Sequence, residues 1–192
     1  MNLHQLWLIT RYSFTEIWRN KTFRVAFMVL IPLLIAYQVS FQSDMFNIPV
    51  EYTLVLSSFI PTQNAYMFNL LLVFPLATMG FWVHKQKKYN TLEALLVHPQ
   101  GNDTYSTGFI LGIIIAFMIM GSISLALAGL INLFASPTSF QPLIYLFYLV
   151  TLFLPTIVFV VGITSFLAAR CFKNGTVTTF FMLVYLSVDI LF

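Results

Sequence analysis

The sequence predicts an all-α fold: a polytopic membrane helix bundle with an N-terminal amphipathic helix and five transmembrane spans. Of its 192 residues, 59% are hydrophobic and 8% are charged, and the mean hydropathy is +0.89. A soluble core of this size does not need so much apolar side chain. Leu, Ile, Val and 21 Phe residues also recur in runs that are apolar all round, which suits helices with lipid on every side.

The first 24 residues predict an amphipathic helix ahead of a membrane domain at 25–192. Its mostly apolar side carries, at helical spacing, Leu3, Leu6, Trp7, Thr10, Phe14, Ile17 and Trp18. Its other side carries His4, Arg11, Thr15 and Arg19. We expect this helix to lie in the headgroup plane, with its tryptophans at the interface. The alternative is a plain cytoplasmic anchor with positive flanks.

Five apolar runs are candidates to cross about 30 Å of hydrocarbon at about 1.5 Å per residue. They cover roughly 25–41, 65–83, 108–134, 142–169 and 177–192. The fifth is cut short, because it runs to the last residue of the sequence.

The basic residues predict the direction of these spans. They lie before the first span, after the second and after the fourth: Arg11, Arg19, Lys21, Arg24, Lys85, Lys87, Lys88, Arg170 and Lys173. The opposite connections, 42–64 and 135–141, contain no Lys or Arg. Because Lys and Arg are retained in the cytoplasm, we expect a cytoplasmic N-terminus. The basic residues cluster beside apolar runs, where they orient the chain in the bilayer. We therefore expect lipid and not nucleic acid as the partner of these charges.

A short polar interruption between the second and third spans predicts a helix over about 90–98. Asn90 can cap it, Thr91 follows, and Glu93 is placed for a capping-box contact. Pro99 stops it after about two turns. One apolar stripe runs along it: Leu92, Leu95 and Leu96. So short a helix is marginal alone, so the stripe should dock, either on the chain's own span ends or on another protein.

Two segments resemble the type-2 ABC permease family, the membrane subunits of ATP-driven exporters: "HQLWLITRYSFTEIWRNKTFR" and "KKYNTLEALLVHPQGNDTYSTGFILG". The resemblance implies that the first segment is an elbow helix leading into the first span. It implies that Asn90, Thr91, Leu92, Glu93, Leu95 and Leu96 form a coupling helix that docks into a separate ATPase subunit. A second permease subunit, identical or different, and a bacterial plasma (inner) membrane location are implied as well.

The family has six spans, with a re-entrant hairpin before the last, whereas this sequence reaches Phe192 within its fifth. A fragment and a shortened natural form both fit that difference, and a partner would then supply the rest. A non-transporting membrane scaffold that recruits a cytoplasmic partner is the alternative function, since it shares every feature described so far.

The sequence carries no pattern of an enzyme. The phosphate-binding pattern G-x-x-x-x-G-K-[ST] is absent, so ATP hydrolysis is expected on another polypeptide. Cys171 is the one cysteine, and spaced Cys and His sets are missing. We therefore expect no catalytic, cofactor or metal site. Asp189, the acidic residue well inside a predicted span, is a candidate pathway residue or, alternatively, an interfacial aspartate.

The third span is rich in small residues, which predicts close helix packing within the chain or across a dimer. They are Gly108, Gly112, Gly121, Ser122, Ser124, Ala126, Ala128 and Gly129. Prolines lie within the first, second and fourth spans, where each removes a helical hydrogen bond: Pro32, Pro75 and Pro155.

Overall fold

The computed structural model describes residues 3–44, 58–69, 102–135 and 140–170. These residues form helices and contain no strand, as predicted for an all-α fold. The elements are α1 (Leu3–Arg19), α2 (Lys21–Asp44), α3 (58–69), α4 (Asn102–Ala135), α5 (Pro142–Tyr148), a π-helical turn (Leu149–Phe153) and α6 (Leu154–Arg170).

Three helical stretches of the described chain are long and apolar enough to cross a membrane: Phe23–Ser43, Thr104–Phe134 and Pro142–Ser165. They match the predicted first, third and fourth spans, so the chain is a membrane protein. The predicted second span begins within α3 and continues outside the described residues. The predicted fifth span, 177–192, lies outside them altogether.

The connection between the first two spans is shorter than the sequence predicted. α2 continues past 41 to Asp44, and the chain is already helical at 58. Gln42 and Asn64, which we expected at the ends of a polar connection, are both helical and almost fully buried. The prediction assigned both residues to a polar connection, but these amides are bonded inside the bundle and do not end a helix.

α2 and α4 run in the same direction. The ring of Phe23, near the start of α2, meets that of Phe117 edge-on at 5.8 Å. Near the end of α2, Gln42 donates a hydrogen bond to the carbonyl of Ala128, at 3.2 Å. Contacts therefore advance together along both helices, as expected for the first and third spans of an up-and-down bundle.

α5 and α6 run in the opposite direction to α4. Tyr145 lies against Gly129, whereas Phe153, later in the chain, lies against Gly121, earlier in α4. α3 is also antiparallel to α4, because Asn64 bonds Ser124 and the following turn of α3 reaches Gly121. The parts of the four predicted spans that the structure describes thus alternate in direction, with α2 and α4 running one way and α3 and α5–α6 the other.

Asn20 separates α1 from α2. Its amide donates to the carbonyl of Ile17 and its own carbonyl accepts from the amide of Arg24, both at 3.0 Å. The guanidinium of Arg24 also donates to the carbonyl of Arg19 at 3.2 Å, which satisfies one of the free carbonyls at the end of α1. Aromatic rings fill the bend with centroid separations of 5.8–6.1 Å: Phe14, Trp18, Phe23 and Phe27.

The π-helical turn lies just before Pro155. Here the amide of Leu154 donates to the carbonyl of Leu149, five residues back. Because proline has no amide hydrogen and crowds the preceding turn, widening this turn relieves the crowding. At the end of this turn the ring of Phe153, which is 1% exposed, packs against Gly121. Pro32 is accommodated within α2, and Pro75 lies outside the described residues.

Apolar side chains cover much of the outer surface. On α2 the exposed ones include Val25, Met28, Val29 and Leu33, and on α5 and α6 they include Leu143, Phe147, Val158 and Phe159. Such a surface suits lipid tails and is not expected of a monomeric soluble protein.

Candidate functional site

The residues predicted to couple the chain to an ATPase lie outside the described residues, as does Asp189. The former are Asn90, Thr91, Leu92, Glu93, Leu95 and Leu96. Among the contacts that hold α4 to other helices, the described structure shows a glycine contact with α1 and a buried group of amides shared with α2 and α3.

α1 packs backbone to backbone on the first third of α4. It is more extensive than the contact of α4 with α2 or with α6. A methyl group added to Gly108 would lie 2.8 Å from Cγ2 of Ile9, and one added to Gly112 would lie 2.7 Å from Cβ of Ser13. Only glycine leaves room for this approach, so the predicted close packing at Gly108 and Gly112 is made within the chain.

The contact shows how α1 is oriented along α4. Ile9 meets Gly108 and Ser13 meets Gly112, so one turn along α1 corresponds to one turn along α4. α1 therefore runs beside α4 in the same direction at this contact. α4 has 34 residues, against about 20 that a span needs, so it is long enough to reach beyond the hydrocarbon beside α1.

The face of α1 that packs on the protein shares Thr10 and Ile17 with the predicted apolar side, and adds Ile9 and Ser13. The buried residues are Ile9, Thr10, Ser13 and Ile17. Two members of the predicted apolar side, Leu3 and Trp7, are 75% and 61% exposed. The prediction took apolar character as its guide, but a contact with glycine favours small side chains. The hydroxyl of Thr10 is satisfied by donating to the carbonyl of Leu6 at 2.8 Å.

Four neutral polar side chains form the amide cluster, which links α2, α3 and α4. They are between 0% and 3% exposed: Gln38, Gln42, Asn64 and Ser124. Asn64 Oδ1 accepts from Ser124 Oγ at 3.0 Å and from Gln38 Nε2 at 3.4 Å. Gln42 Nε2 donates to Gln38 Oε1 at 3.1 Å and also to the carbonyl of Ala128. One continuous set of hydrogen bonds thus joins three helices.

Two polar atoms of the cluster have no hydrogen-bond partner among the described residues: Gln42 Oε1 and Asn64 Nδ2. Exchanging the oxygen and nitrogen of either amide would not help. Gln42 Nε2 already donates twice and Asn64 Oδ1 already accepts twice. A buried unsatisfied donor or acceptor costs about 1–3 kcal/mol, so a partner for both atoms would stabilise the bundle.

Sequence reasoning missed this cluster. Gln38 and Gln42 are one helical turn apart, and Asn64 precedes an apolar run, so the spacing alone gave a weak signal. A stronger signal was available in the cost of placing any amide near an apolar span, since such residues face the bundle interior and bond one another.

A hydrogen-bonded pair separate from the amide cluster joins α4 to α5. Asn132 Nδ2 donates to the hydroxyl of Tyr145 at 2.9 Å, and the two residues are 1% and 8% exposed. The ring of Tyr145 also covers Gly129 and lies 5.5 Å from the ring of Phe140. In this pair the tyrosine supplies its own hydroxyl as partner for the amide.

Within the described ranges, no three His, Cys, Asp or Glu side chains lie close enough to hold a metal ion. Comparisons with family models, with curated proteins and with solved structures found no match to the chain.

Proposed function

We propose that this chain is the membrane-spanning permease subunit of a type-2 ABC exporter, which couples ATP hydrolysis by a separate ATPase subunit to transport across a bacterial inner membrane. The proposal begins from the resemblance of residues 4–24 and 87–112 to that family. In the proposed complex, residues 90–98 would dock on the ATPase, and a second permease subunit would complete the transport path.

One observation carries the proposal furthest: the contact of α1 with α4 at Gly108 and Gly112. Segment 84–101 leads directly into α4, which begins at Asn102. A displacement of that segment would be passed to α4, and α1 would move with it because their backbones touch. The contact therefore supplies a rigid element on which an ATPase could act. A rigid pair of helices is what an alternating-access movement needs.

The amide cluster supports the same mechanism from the other end of α4. Gln42 and Asn64 tie α2 and α3 to that helix through Ala128 and Ser124. Movement of α4 would therefore be shared by the first two spans or would have to break these hydrogen bonds. Either response would link a displacement at the start of α4 to a change around Ser124 and Ala128.

The experiment is co-purification with a phosphate-loop ATPase encoded beside this chain's gene. Replacing Leu92, Leu95 and Leu96 together by Ser should abolish co-purification and leave membrane insertion intact, because the apolar docking stripe is lost. The matched control replaces the same three residues by Met, which keeps the stripe apolar, and should retain the ATPase.

Unchanged co-purification of the serine variant would contradict the docking role. ATP hydrolysis by the purified complex separates the two functions considered. Stimulation by a transported substrate supports the permease, whereas recruitment of a partner without transport supports the scaffold.

A further inference from the structure

We propose that the amide cluster is a binding site for a single hydroxyl group inside the bundle, supplied by a water molecule or by the hydroxyl of a transported compound. The site is formed by Gln38, Gln42, Asn64 and Ser124. It goes beyond the permease function, because it makes no use of the ATPase or of residues 90–98.

The chemistry of the two unsatisfied atoms selects the ligand. Gln42 Oε1 is an acceptor and needs a donor, whereas Asn64 Nδ2 is a donor and needs an acceptor. A cation would satisfy only the first atom and an anion only the second. A hydroxyl group both donates and accepts, so one oxygen can satisfy both.

The two side chains that carry the unsatisfied atoms are both bonded to Gln38. Gln38 accepts from Gln42 at 3.1 Å and donates to Asn64 at 3.4 Å, so both unsatisfied atoms belong to side chains that bond the same carboxamide. Ser124 does not fill the need, because its hydroxyl donates to Oδ1 of Asn64 and leaves Nδ2 unpaired. The bonds already made hold the two amides in place for a further group.

Burial restricts the size of the ligand. Asn64 is 0% exposed and Gln38 and Gln42 are each 1% exposed. In this arrangement of the helices such burial excludes a large compound, and buried water characteristically bridges polar atoms that otherwise lack partners. A hydroxyl carried by a larger compound would reach the site only when α2, α3 and α4 separate.

The experiment uses the full chain in lipid bilayers, with ¹⁵N in its Asn and Gln side chains, studied by solid-state NMR. Magnetisation transfer from water to the side-chain amide of Asn64 should be several-fold faster than to that of Asn132. Asn132 is the matched control because it is 1% exposed, close to the 0% of Asn64, but donates to Tyr145.

A second arm adds 1-octanol and, as its control, octane. Shifts of the Asn64 and Gln42 amide signals with octanol but not with octane would identify a ligand hydroxyl as the occupant. Fast water transfer that octanol leaves unchanged would identify water. The proposal is overturned if Asn64 shows neither response or if Asn132 behaves identically. No ATPase is present, so these failures would leave the permease proposal untouched.

Discussion

At the scale of single residues, glycines decide how closely helices approach α4. Gly108 and Gly112 admit α1, and Gly121 admits the ring of Phe153. The sequence predicted this close packing from the density of small residues, because a bundle in lipid gains its cohesion from van der Waals contact. Which helix packs against each glycine could not be predicted, because the spacing of small residues on one helix does not identify the helix that contacts it.

Gly112→Ala should destabilise the bundle. The added methyl group would lie 2.9 Å from the carbonyl oxygen of Thr10 and 3.0 Å from the amide nitrogen of Phe14, and these backbone atoms cannot move aside separately. We expect a loss of about 1–3 kcal/mol in the free energy of unfolding, as for an overpacked core, measured by SDS titration in mixed micelles.

Gly162→Ala is the matched control, because no atom lies within 4 Å of the position that its methyl group would take. We expect no loss, and a gain of up to about 1 kcal/mol from the higher helix propensity of alanine. Equal destabilisation by both substitutions would show that Gly112 is not a packing contact.

The amides illustrate what sequence alone could not resolve at this scale. In the sequence, Gln42 and Asn64 occur where apolar runs give way to polar residues. That position is equally compatible with the end of a span and with a buried polar site. Only the approach of three helices distinguishes these interpretations, and that approach depends on contacts far apart in the chain.

At the scale of elements, the existence of the first, third and fourth spans was predictable because long apolar runs have few alternatives to helix in lipid. The orientation of α1 was not predictable in the same way. Its exposed Trp7 and Leu3 contributed as much to the apolar pattern as its buried residues, since a membrane protein has apolar side chains on both its inner and outer surfaces.

The π-helical turn makes a prediction of its own. Its hydrogen bond closes over five residues instead of four, so the segment Leu149–Phe153 holds one residue more than an α-helical path needs. Deleting Val150, which is 61% exposed, should restore an α-helix and keep Tyr145 and Phe153 facing α4. The variant should purify as a monodisperse species with a thermal unfolding midpoint close to that of the parent chain.

The matched deletion is Ile115 in α4, which is also exposed, at 38%. There is no surplus residue in that helix, so the deletion rotates the face bearing Gly108 and Gly112 relative to Ser124, and we expect the variant not to fold. Aggregation of the Val150 deletion to the same extent as the Ile115 deletion would contradict this prediction. It would show that the π-helical turn does not hold a surplus residue.

At the scale of the whole molecule, alternating helix directions and the distribution of basic residues lead to one arrangement. α2 and α4 run one way while α3, α5 and α6 run the other. The N-terminus and segment 84–101 should then share one side, and the turn between α4 and α5 should face the other. Charge predicted which side is cytoplasmic. The proposed contact with an ATPase depends on this arrangement, because nucleotide is available only inside the cell.

Cysteine labelling with a membrane-impermeant maleimide tests this arrangement most directly. In a Cys171→Ser background, single cysteines replace Leu3, Leu95 and Gln141. The account predicts labelling of Gln141→Cys on intact cells, and labelling of Leu3→Cys and Leu95→Cys only after the membrane is permeabilised. Labelling of Leu95→Cys on intact cells would place the leucine stripe outside the cell and contradict the proposed coupling to an ATPase.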